Sequence, residues 1–280
     1  MKKALSILAL AAATGFSALA GNITVKGSDT LVILAQKWAE VYMGQHPDVK
    51  IQVSGGGSGI GFAALQNQTT DLCDASRKAK SSEIANCLKA FNARPTEYKV
   101  ALDGLSVYVN PENSLTELTV AQVGDIFAGK IKNWKEVGGP DAPITVYSRE
   151  NSSGTYEFFK EHVLKGRDFV SSAQTMPGTA AIVQAVMKDK NSIGYGGAAY
   201  GGNSKLINIK KDDSSPAIAP TEENVVNGTY PIWRHLYVYV NPALDKGEIA
   251  SYLKWIRSDD GQKYVKDIGY YPLPKNLRSN

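Results

Sequence analysis

The feature that most constrains this chain is a unit that occurs three times: a short β-forming run, a turn rich in Gly, Ser and Thr, and an amphipathic helix. In the first copy the run is residues 23–25, the turn is 27–30, and the helix is 31–43, with apolar side chains at helical spacing. The other two copies are 51–53, 54–59 and about 60–66, and then 144–147, 149–153 and about 155–164. Alternating strands and helices predict an α/β fold.

The N-terminus has the pattern of a secretory signal peptide. Lys2 and Lys3 precede an apolar run over residues 4–13, and Ala18-Leu19-Ala20 supplies small residues for a cleavage site. A membrane anchor is the alternative, but the run falls short of the ~20 apolar residues that span a bilayer. We therefore expect residues 1–20 to be removed and the rest of the chain to be a soluble periplasmic protein.

A second repeated feature suggests how the chain divides into lobes. The sequence Val-Tyr-Val-Asn-Pro occurs at residues 107–111 and again at 238–242. We interpret these segments as two similar strands that cross between two lobes, once in each direction; chance similarity of two strand ends is the alternative. Lobe 1 is then 21–106 plus 238–280, and lobe 2 is 107–237. Two crossings allow hinge closure over a ligand.

Charge and cysteine content narrow the function further. The formal net charge of +4 includes the two signal-peptide lysines, so the mature chain lacks the strong basic excess of a nucleic-acid-binding protein. Cys73 and Cys87 are the only cysteines. In an oxidising compartment such a pair is more often a disulfide than a metal site, so we expect a disulfide, with two free thiols as the alternative.

The Ser/Thr/Gly turns are candidate anion sites. A helix N-terminus presents unpaired N–H groups and a partial positive charge, so it can hold an oxyanion without a metal. In the turn 149–155, Gly154 lets the backbone approach a ligand and Arg149 offers a planar donor fork. A further turn, 74–77, adds a hydroxyl and Arg77. Each hydroxyl has the alternative role of capping its own helix, and each arginine that of a surface ion pair.

Catalytic alternatives find little support. The segment 54–59 lacks the Gly-Lys-Ser/Thr ending of a nucleotide-binding loop, and no serine lies in a G-x-S-x-G turn. The three histidines, His46, His162 and His235, are far from one another in sequence. We therefore expect no enzyme, no cofactor and no metal. The glycines at 194–197 and 201–202 predict loops and close backbone approaches in lobe 2.

Taken together, these motifs resemble one family over nearly the whole mature chain: the short form of the phosphate-binding component of bacterial phosphate ABC transporters. The segments that carry the resemblance are 27–30, 55–59, 75–77, 149–150, 153–155, 126–134, 192–195 and 261–274. The resemblance implies a type II periplasmic-binding-protein fold, with two α/β lobes joined by two crossing strands. It also implies phosphate in the interlobe cleft, delivery to a membrane-embedded permease, and a monomer.

The same resemblance implies which residues bind phosphate. Transferred position by position, they are Ser28, Asp29, Thr30, Gly57, Ser58, Ser76, Arg77, Arg149, Ser153, Gly154 and Thr155. One position departs from longer family members, in which an aspartate at the place of Arg77 accepts a hydrogen bond from protonated phosphate. Asp29 is our candidate for this acceptor, and Glu150 is a second. An acceptor in the cleft disfavours sulfate, which has no proton to donate near neutral pH.

Three other functions stay open at this point. The first is a receptor for another tetrahedral oxyanion, namely sulfate, molybdate or arsenate. The second is a sensor that reports phosphate supply to a membrane partner. The third, an exported enzyme acting on phosphate esters, would require a nucleophile or a metal that the sequence does not reveal.

Overall fold

Two half-sheets are joined through one long strand. The computed structural model describes residues 21–278, so the predicted signal peptide lies outside the described residues. The strands in this range are β1 (Asn22–Gly27), β2 (Lys50–Ser54), β3 (Leu72–Ala75), β4 (Thr96–Val109), β5 (Glu117–Thr119), β6 (Thr145–Arg149), β7 (Gln174–Met176), β8 (Ser192–Gly197), β9 (Lys205–Leu206), β10 (Asn208–Lys210), β11 (Ala217–Ile218) and β12 (Trp233–Val240). The helices are α1 (Val32–Gln45), α2 (Ser58–Gln66), α3 (Ser81–Phe91), α4 (Val120–Phe127), α5 (Gly154–His162), α6 (Gly178–Lys188), α7 (Glu222–Val226), α8 (Gly247–Arg257) and α9 (Asp259–Ile268).

The main sheet has the strand order β2-β1-β3-β12-β4-β8-β6-β7, with β9 also paired to β4. The strands of each predicted α/β unit pair in parallel, β1 with β2 and β3 on one side, and β6 with β7 and β8 on the other. Between them β4 and β12 run antiparallel to each other and to their neighbours. A small sheet, β11-β10-β5, completes the second half.

Separate apolar cores lie on the two sides of the β4/β12 pair. One core is built on β1–β3 with α1, α8 and α9, and the other on β6, β8 and β10 with α4 and α5. Along β12, Ile232 just before the strand packs in the second core, whereas Leu236 packs in the first. We call the halves lobe 1 and lobe 2. The two strands pass between them near residues 102–105 and 232–236, slightly before the lobe boundaries proposed from the sequence at 106/107 and 237/238.

Helix α1 shows why each unit packs as it does. Leu34, Trp38 and Tyr42 lie on one face and are buried, as their spacing predicts. The Trp38 indole N–H donates to the Gly261 carbonyl at 2.8 Å, which ties α1 to α9. At α2, a side chain at Gly61 would lie 2.6 Å from the Lys26 carbonyl, so glycine is what lets this helix contact β1. This packing holds the N-terminal ends of α1 and α2 next to each other.

Two sequence-based expectations differ from the structure. Residues 194–197, expected to form loops, lie in the fully buried strand β8. The glycines there serve packing, because a Cβ at Gly194 would overlap Ile182 of α6. The expected disulfide is not formed: Cys73 and Cys87 are buried free thiols in one apolar cluster. Burial raises the pKa of Cys87 to about 11 and also raises the pKa of Cys73 well above its usual value, so the reactive thiolate is scarce.

Burial also affects a carboxyl beneath the candidate site. Asp74 lies in β3, its backbone carbonyl accepts from the Ser28 N–H at 2.9 Å, and burial raises its pKa to about 7. The unfolded chain, with an ordinary Asp pKa near 3.9, loses this proton at lower pH than the folded chain does. The contribution of Asp74 to the free energy of unfolding therefore falls as pH rises from about 4 to about 7 and is constant above.

We predict that Asp74→Asn abolishes this fall in the free energy of unfolding between about pH 4 and pH 7. Relative to wild type, the variant should gain on the order of 2–4 kcal/mol of unfolding free energy between about pH 4 and pH 7, because an amide has no proton to lose. Urea unfolding followed by circular dichroism at a series of pH values measures the difference. Parallel curves for the two proteins across this range would show that Asp74 ionises normally.

Candidate functional site

The candidate site lies where the carboxyl ends of strands from both lobes face each other. β1, β2 and β3 end at Gly27, Ser54 and Ala75, and their following turns lead into α1, α2 and α3. In lobe 2, β6 ends at Arg149 and leads into α5. Ligands of open α/β sheets bind outside the carboxyl ends of the strands, where the chain turns toward helices on either side. All four turns predicted from the sequence are at this place.

Four hydroxyl groups from these turns form one buried cluster across the two lobes. Thr30 and Thr155 meet with their Oγ1 atoms 2.8 Å apart. The Ser76 Oγ lies 3.5 Å from Thr155 Oγ1 and 3.4 Å from the Ser58 Oγ, and the Ser58 Oγ accepts from the Ser76 N–H at 3.1 Å. We call these four residues the hydroxyl cluster. Three come from lobe 1 and one from lobe 2, so the cluster is complete only when the lobes are together.

Two glycines permit the close approach of the lobes. Gly57 has φ +97°, and a Cβ there would lie 2.5 Å from the Ser152 carbonyl of lobe 2. The first turn of α2 makes an interlobe hydrogen bond, from the Gly59 N–H to the same Ser152 carbonyl at 2.9 Å. A Cβ at Gly154 would overlap the Ser58 hydroxyl and lie 2.7 Å from that of Ser76. Both positions therefore require glycine for the hydroxyl cluster to form.

Arg149 is buried and joins the lobes through Asp29. Its Nη2 donates to Asp29 Oδ2 at 2.6 Å, its Nη1 to Thr179 Oγ1 at 3.0 Å, and its Nε to Glu150 Oε2 at 3.1 Å. The other Asp29 oxygen accepts from the Gly56 N–H at 2.7 Å. A carboxylate has about four lone-pair positions, so Asp29 retains acceptor capacity. Arg149, predicted as a donor to the anion, and Asp29, predicted as an acceptor, thus form a single interlobe ion pair.

The remaining turn residues are fixed by local hydrogen bonds. Tyr200 and Tyr270 donate to the carbonyls of Asp29 and Thr30 at 2.7 and 2.6 Å. Burial raises the pKa of Tyr200 to about 12, so its hydroxyl stays a donor at neutral pH. Ser28 is buried at the start of this turn. Ser153 caps α5, and its Oγ accepts from the Tyr156 N–H at 3.3 Å. Helix capping was the alternative to anion binding for this hydroxyl.

Arg77 is the predicted site residue that the structure does not bring to the hydroxyl cluster. Its guanidinium forms a bidentate pair with Glu83 of α3, at 2.8 and 2.7 Å, and lies 5.3 Å from the ring centre of Phe62. Glu83 also accepts from the Lys80 N–H at the start of α3. The arginine therefore fastens the turn to its own helix, and its role as a phosphate ligand stays a prediction without a contact to support it.

Arg234 lies at the site although the sequence analysis did not select it. It is 3% exposed, and its Nη2 donates to Thr155 Oγ1 at 3.0 Å. Nη1 donates to the Ser76 carbonyl at 3.0 Å, and two N–H groups donate to Asp103 Oδ2 at 2.9 and 2.8 Å. No turn or glycine marks Arg234, because it lies inside β12. The signal that marks Arg234 is a buried acidic residue, Asp103, opposite it on the paired strand. That signal can be found only when the pairing of the strands is known.

The site is chemically suited to an oxyanion. The N-terminal residues of α1, α2 and α5 surround the hydroxyl cluster, and each helix end contributes N–H donors and partial positive charge. Within residues 21–278, no group of three or more His, Cys, Asp or Glu side chains is placed to hold a metal ion. In the same range, no helix has the length and apolar character to cross a membrane.

Comparisons with known proteins agree with this geometry. A family model described as a PBP superfamily domain matches residues 12–260. The phosphate-binding protein PstS of Pseudomonas aeruginosa is 37% identical over 278 residues, which cover 93% of this chain and 86% of that protein. The chain belongs to the PBP superfamily, among the PstS phosphate-binding proteins.

Two further relatives extend the comparison. PstS of Staphylococcus epidermidis is 35% identical over 265 residues, covering 92% of this chain and 80% of that protein. A crystal structure described as a phosphate ABC transporter substrate-binding protein from Clostridium perfringens, with bound phosphate, has a TM-score of 0.82 and 28% identity and covers 91% of this chain and 100% of that one. The comparisons confirm the predicted α/β periplasmic-binding-protein fold for this chain.

The close contact at Gly154 gives a direct test of the site. We predict that Gly154→Ala lowers phosphate affinity by at least about 30-fold, because the new methyl group displaces the Ser58 and Ser76 hydroxyls and spoils charge-assisted hydrogen bonds to an anion. Isothermal titration with phosphate measures this. The matched control is Gly44→Ala in α1, where nothing lies within 4 Å of the added methyl group. Equal affinity in both variants and wild type would place the anion elsewhere.

Proposed function

We propose that this chain captures inorganic phosphate between its two lobes and delivers it to a membrane-embedded ABC-transporter permease. The observation that carries the proposal is the hydroxyl cluster, in which Thr30, Ser58 and Ser76 of lobe 1 meet Thr155 of lobe 2 at the ends of helices. The P. aeruginosa relative is named for phosphate binding, and the C. perfringens structure contains phosphate. Both facts support phosphate as the anion.

The proposed ligand groups come from both lobes. From lobe 1 they are Ser28, Asp29, Thr30, Gly57, Ser58 and Ser76, and from lobe 2 they are Arg149, Ser153, Gly154 and Thr155. The Arg149 charge is already paired with two carboxylates, Asp29 and Glu150. Most of the stabilisation of an added dianion therefore comes from hydroxyl and backbone dipoles fixed before binding, which need no reorganisation as the anion enters. This arrangement suits an anion that must be bound and later released.

Selectivity against sulfate is proposed to come from Asp29. A protonated phosphate can donate to the remaining lone pairs of this carboxylate, whereas fully ionised sulfate would place an oxygen against it and leave it unpaired. Glu150 is the less favourable candidate, because its two oxygens contact the Arg149 Nε and the Gly178 N–H, and it therefore holds the arginine in position.

We predict that wild type binds phosphate more tightly than sulfate and that Asp29→Asn reduces this preference by at least about tenfold, since one lost charged hydrogen bond corresponds to about 1.5–3 kcal/mol. Isothermal titration of ligand-stripped protein with each anion gives the ratio of dissociation constants. If the wild-type protein binds sulfate tightly and does not bind phosphate, the proposed function is wrong.

The matched control for selectivity is Glu150→Gln. Because Glu150 positions Arg149 and is proposed not to touch the anion, this change should weaken both anions by a similar factor and leave their ratio near that of wild type. If Glu150→Gln lowers the ratio while Asp29→Asn does not, Glu150 is the acceptor and the assignment to Asp29 is wrong.

Export, partner and assembly belong to the same proposal. We propose that residues 1–20 direct secretion to the periplasm, that the mature chain is a monomer, and that no catalysis occurs at the site. We expect Cys73 and Cys87 to be free thiols in the exported protein, as they are in the structure. Intact mass of the exported protein, with and without thiol alkylation, reports both the cleavage position and the oxidation state of the two cysteines.

A further inference from the structure

The two strands that join the lobes carry a buried ion pair of their own. Arg234 of β12 lies directly opposite Asp103 of β4 in the antiparallel register. Asp103 is 0% exposed, and its Oδ2 accepts from both Nε and Nη2 of Arg234, at 2.9 and 2.8 Å. The Asp103 Oδ1 accepts from the Ala198 N–H at 3.2 Å. The guanidinium is therefore held in one orientation by a carboxylate that is itself fixed.

The other side of this guanidinium reaches the hydroxyl cluster. Arg234 donates to the Ser76 carbonyl of lobe 1 and to the Thr155 hydroxyl of lobe 2. The ring of Phe158, one turn further along α5, lies 5.4 Å from its central carbon and covers one face. A guanidinium has five N–H donors, and four bonds to described residues are found here, so one N–H remains available.

We propose that Arg234 is a second arginine that binds the anion, with Asp103 as the residue that positions it; this rests on the proposed phosphate function. Arg234 supplies positive charge from the side of Thr155, separately from the interlobe pair of Arg149 and Asp29. Because its Nη2 donates to Thr155 Oγ1, the Thr155 hydroxyl proton is directed away from Arg234 and can donate to Thr30 Oγ1 or to an anion. Arg234 thus acts on the ligand by its charge, by its remaining N–H and through Thr155.

The position of Arg234 also links the anion to lobe closure. Its partners belong to lobe 1 (Ser76), lobe 2 (Thr155) and the crossing strand β4 (Asp103). Opening the lobes separates Ser76 from Thr155, and Arg234 cannot follow both. An anion that requires Arg234 and the full hydroxyl cluster therefore binds the closed arrangement more tightly than the open one, and this difference in affinity is what drives closure.

The alternative is that Arg234 merely neutralises Asp103, and a neutral pair separates the two roles. Arg234→Gln alone would leave a buried, unpaired carboxylate, which destabilises the fold. The informative protein is the double variant Arg234→Gln with Asp103→Asn, whose amides can hydrogen-bond to each other without charge. We expect it to fold, with a thermal unfolding midpoint near wild type, and to bind phosphate about 30- to 1,000-fold more weakly in isothermal titration.

The pH dependence gives a second readout that a purely structural role would not change. Between about pH 5 and pH 8 phosphate becomes a dianion, and two arginines should favour the dianion more than one does. We expect the gain in wild-type affinity over this range to be at least about threefold larger than the gain in the double variant. Asp103→Asn alone lowers the stability of the fold. It keeps Arg234 charged, and the amide oxygen can still accept from the guanidinium, so the folded variant should stay within about tenfold of wild-type affinity.

The matched control is the double variant Arg167→Gln with Asp125→Asn. It removes another arginine–carboxylate pair, but this guanidinium donates to Asp125 and to the Leu164 carbonyl and does not contact the hydroxyl cluster. We expect phosphate affinity within about threefold of wild type. Wild-type affinity in the Arg234/Asp103 variant, or equal losses in that variant and in Asp103→Asn alone, would overturn the role of Arg234. Wild type that fails to bind phosphate would instead contradict the proposed function itself.

Discussion

The ion pair between Arg149 and Asp29 is the interaction on which the site depends. It joins a turn of lobe 2 directly to a turn of lobe 1, and the Arg149 side chain is almost fully buried. Removing one partner from such a pair leaves an uncompensated charge, which costs several kcal/mol. The pair therefore specifies one closed arrangement, in which Thr30 meets Thr155 and the glycines of both lobes approach each other.

Pairing of the buried arginines with carboxylates explains how the proposed site can bind a dianion and release it again. Arg149 is paired with two carboxylates, Asp29 and Glu150, and Arg234 is paired with one, Asp103. An entering anion does not meet bare cations, whose burial would destabilise the ligand-free protein. It meets fixed hydroxyl and N–H dipoles whose orientation the ion pairs maintain. The affinity then depends on completing the hydroxyl cluster from two lobes, and opening of the lobes breaks it again.

The sequence was sufficient to predict the α/β units and the turns because both depend on local patterns. Apolar spacing in α1 and the Gly/Ser/Thr turns at the ends of β1, β2 and β6 are local properties of the chain. Eight of the eleven predicted ligand residues lie against the opposite lobe: Asp29, Thr30, Gly57, Ser58, Ser76, Arg149, Gly154 and Thr155. The expected loop at 194–197 failed for a physical reason: glycine also serves strands that a helix packs against closely, and Ile182 determines that choice from elsewhere in the chain.

Arg77 and Arg234 show which contacts a local sequence pattern does not predict. Arg77 follows Ser76 in the chain, so proximity in sequence suggested proximity to the anion; Glu83, at the start of the next helix, turns its side chain away. Arg234 has no local mark, and its partner Asp103 is 131 residues away. The two become neighbours only through the pairing of the crossing strands. That pairing places a charge where the two lobes join, next to the hydroxyl cluster. Under the proposed role of Arg234, the contact that positions it also couples anion binding to lobe closure.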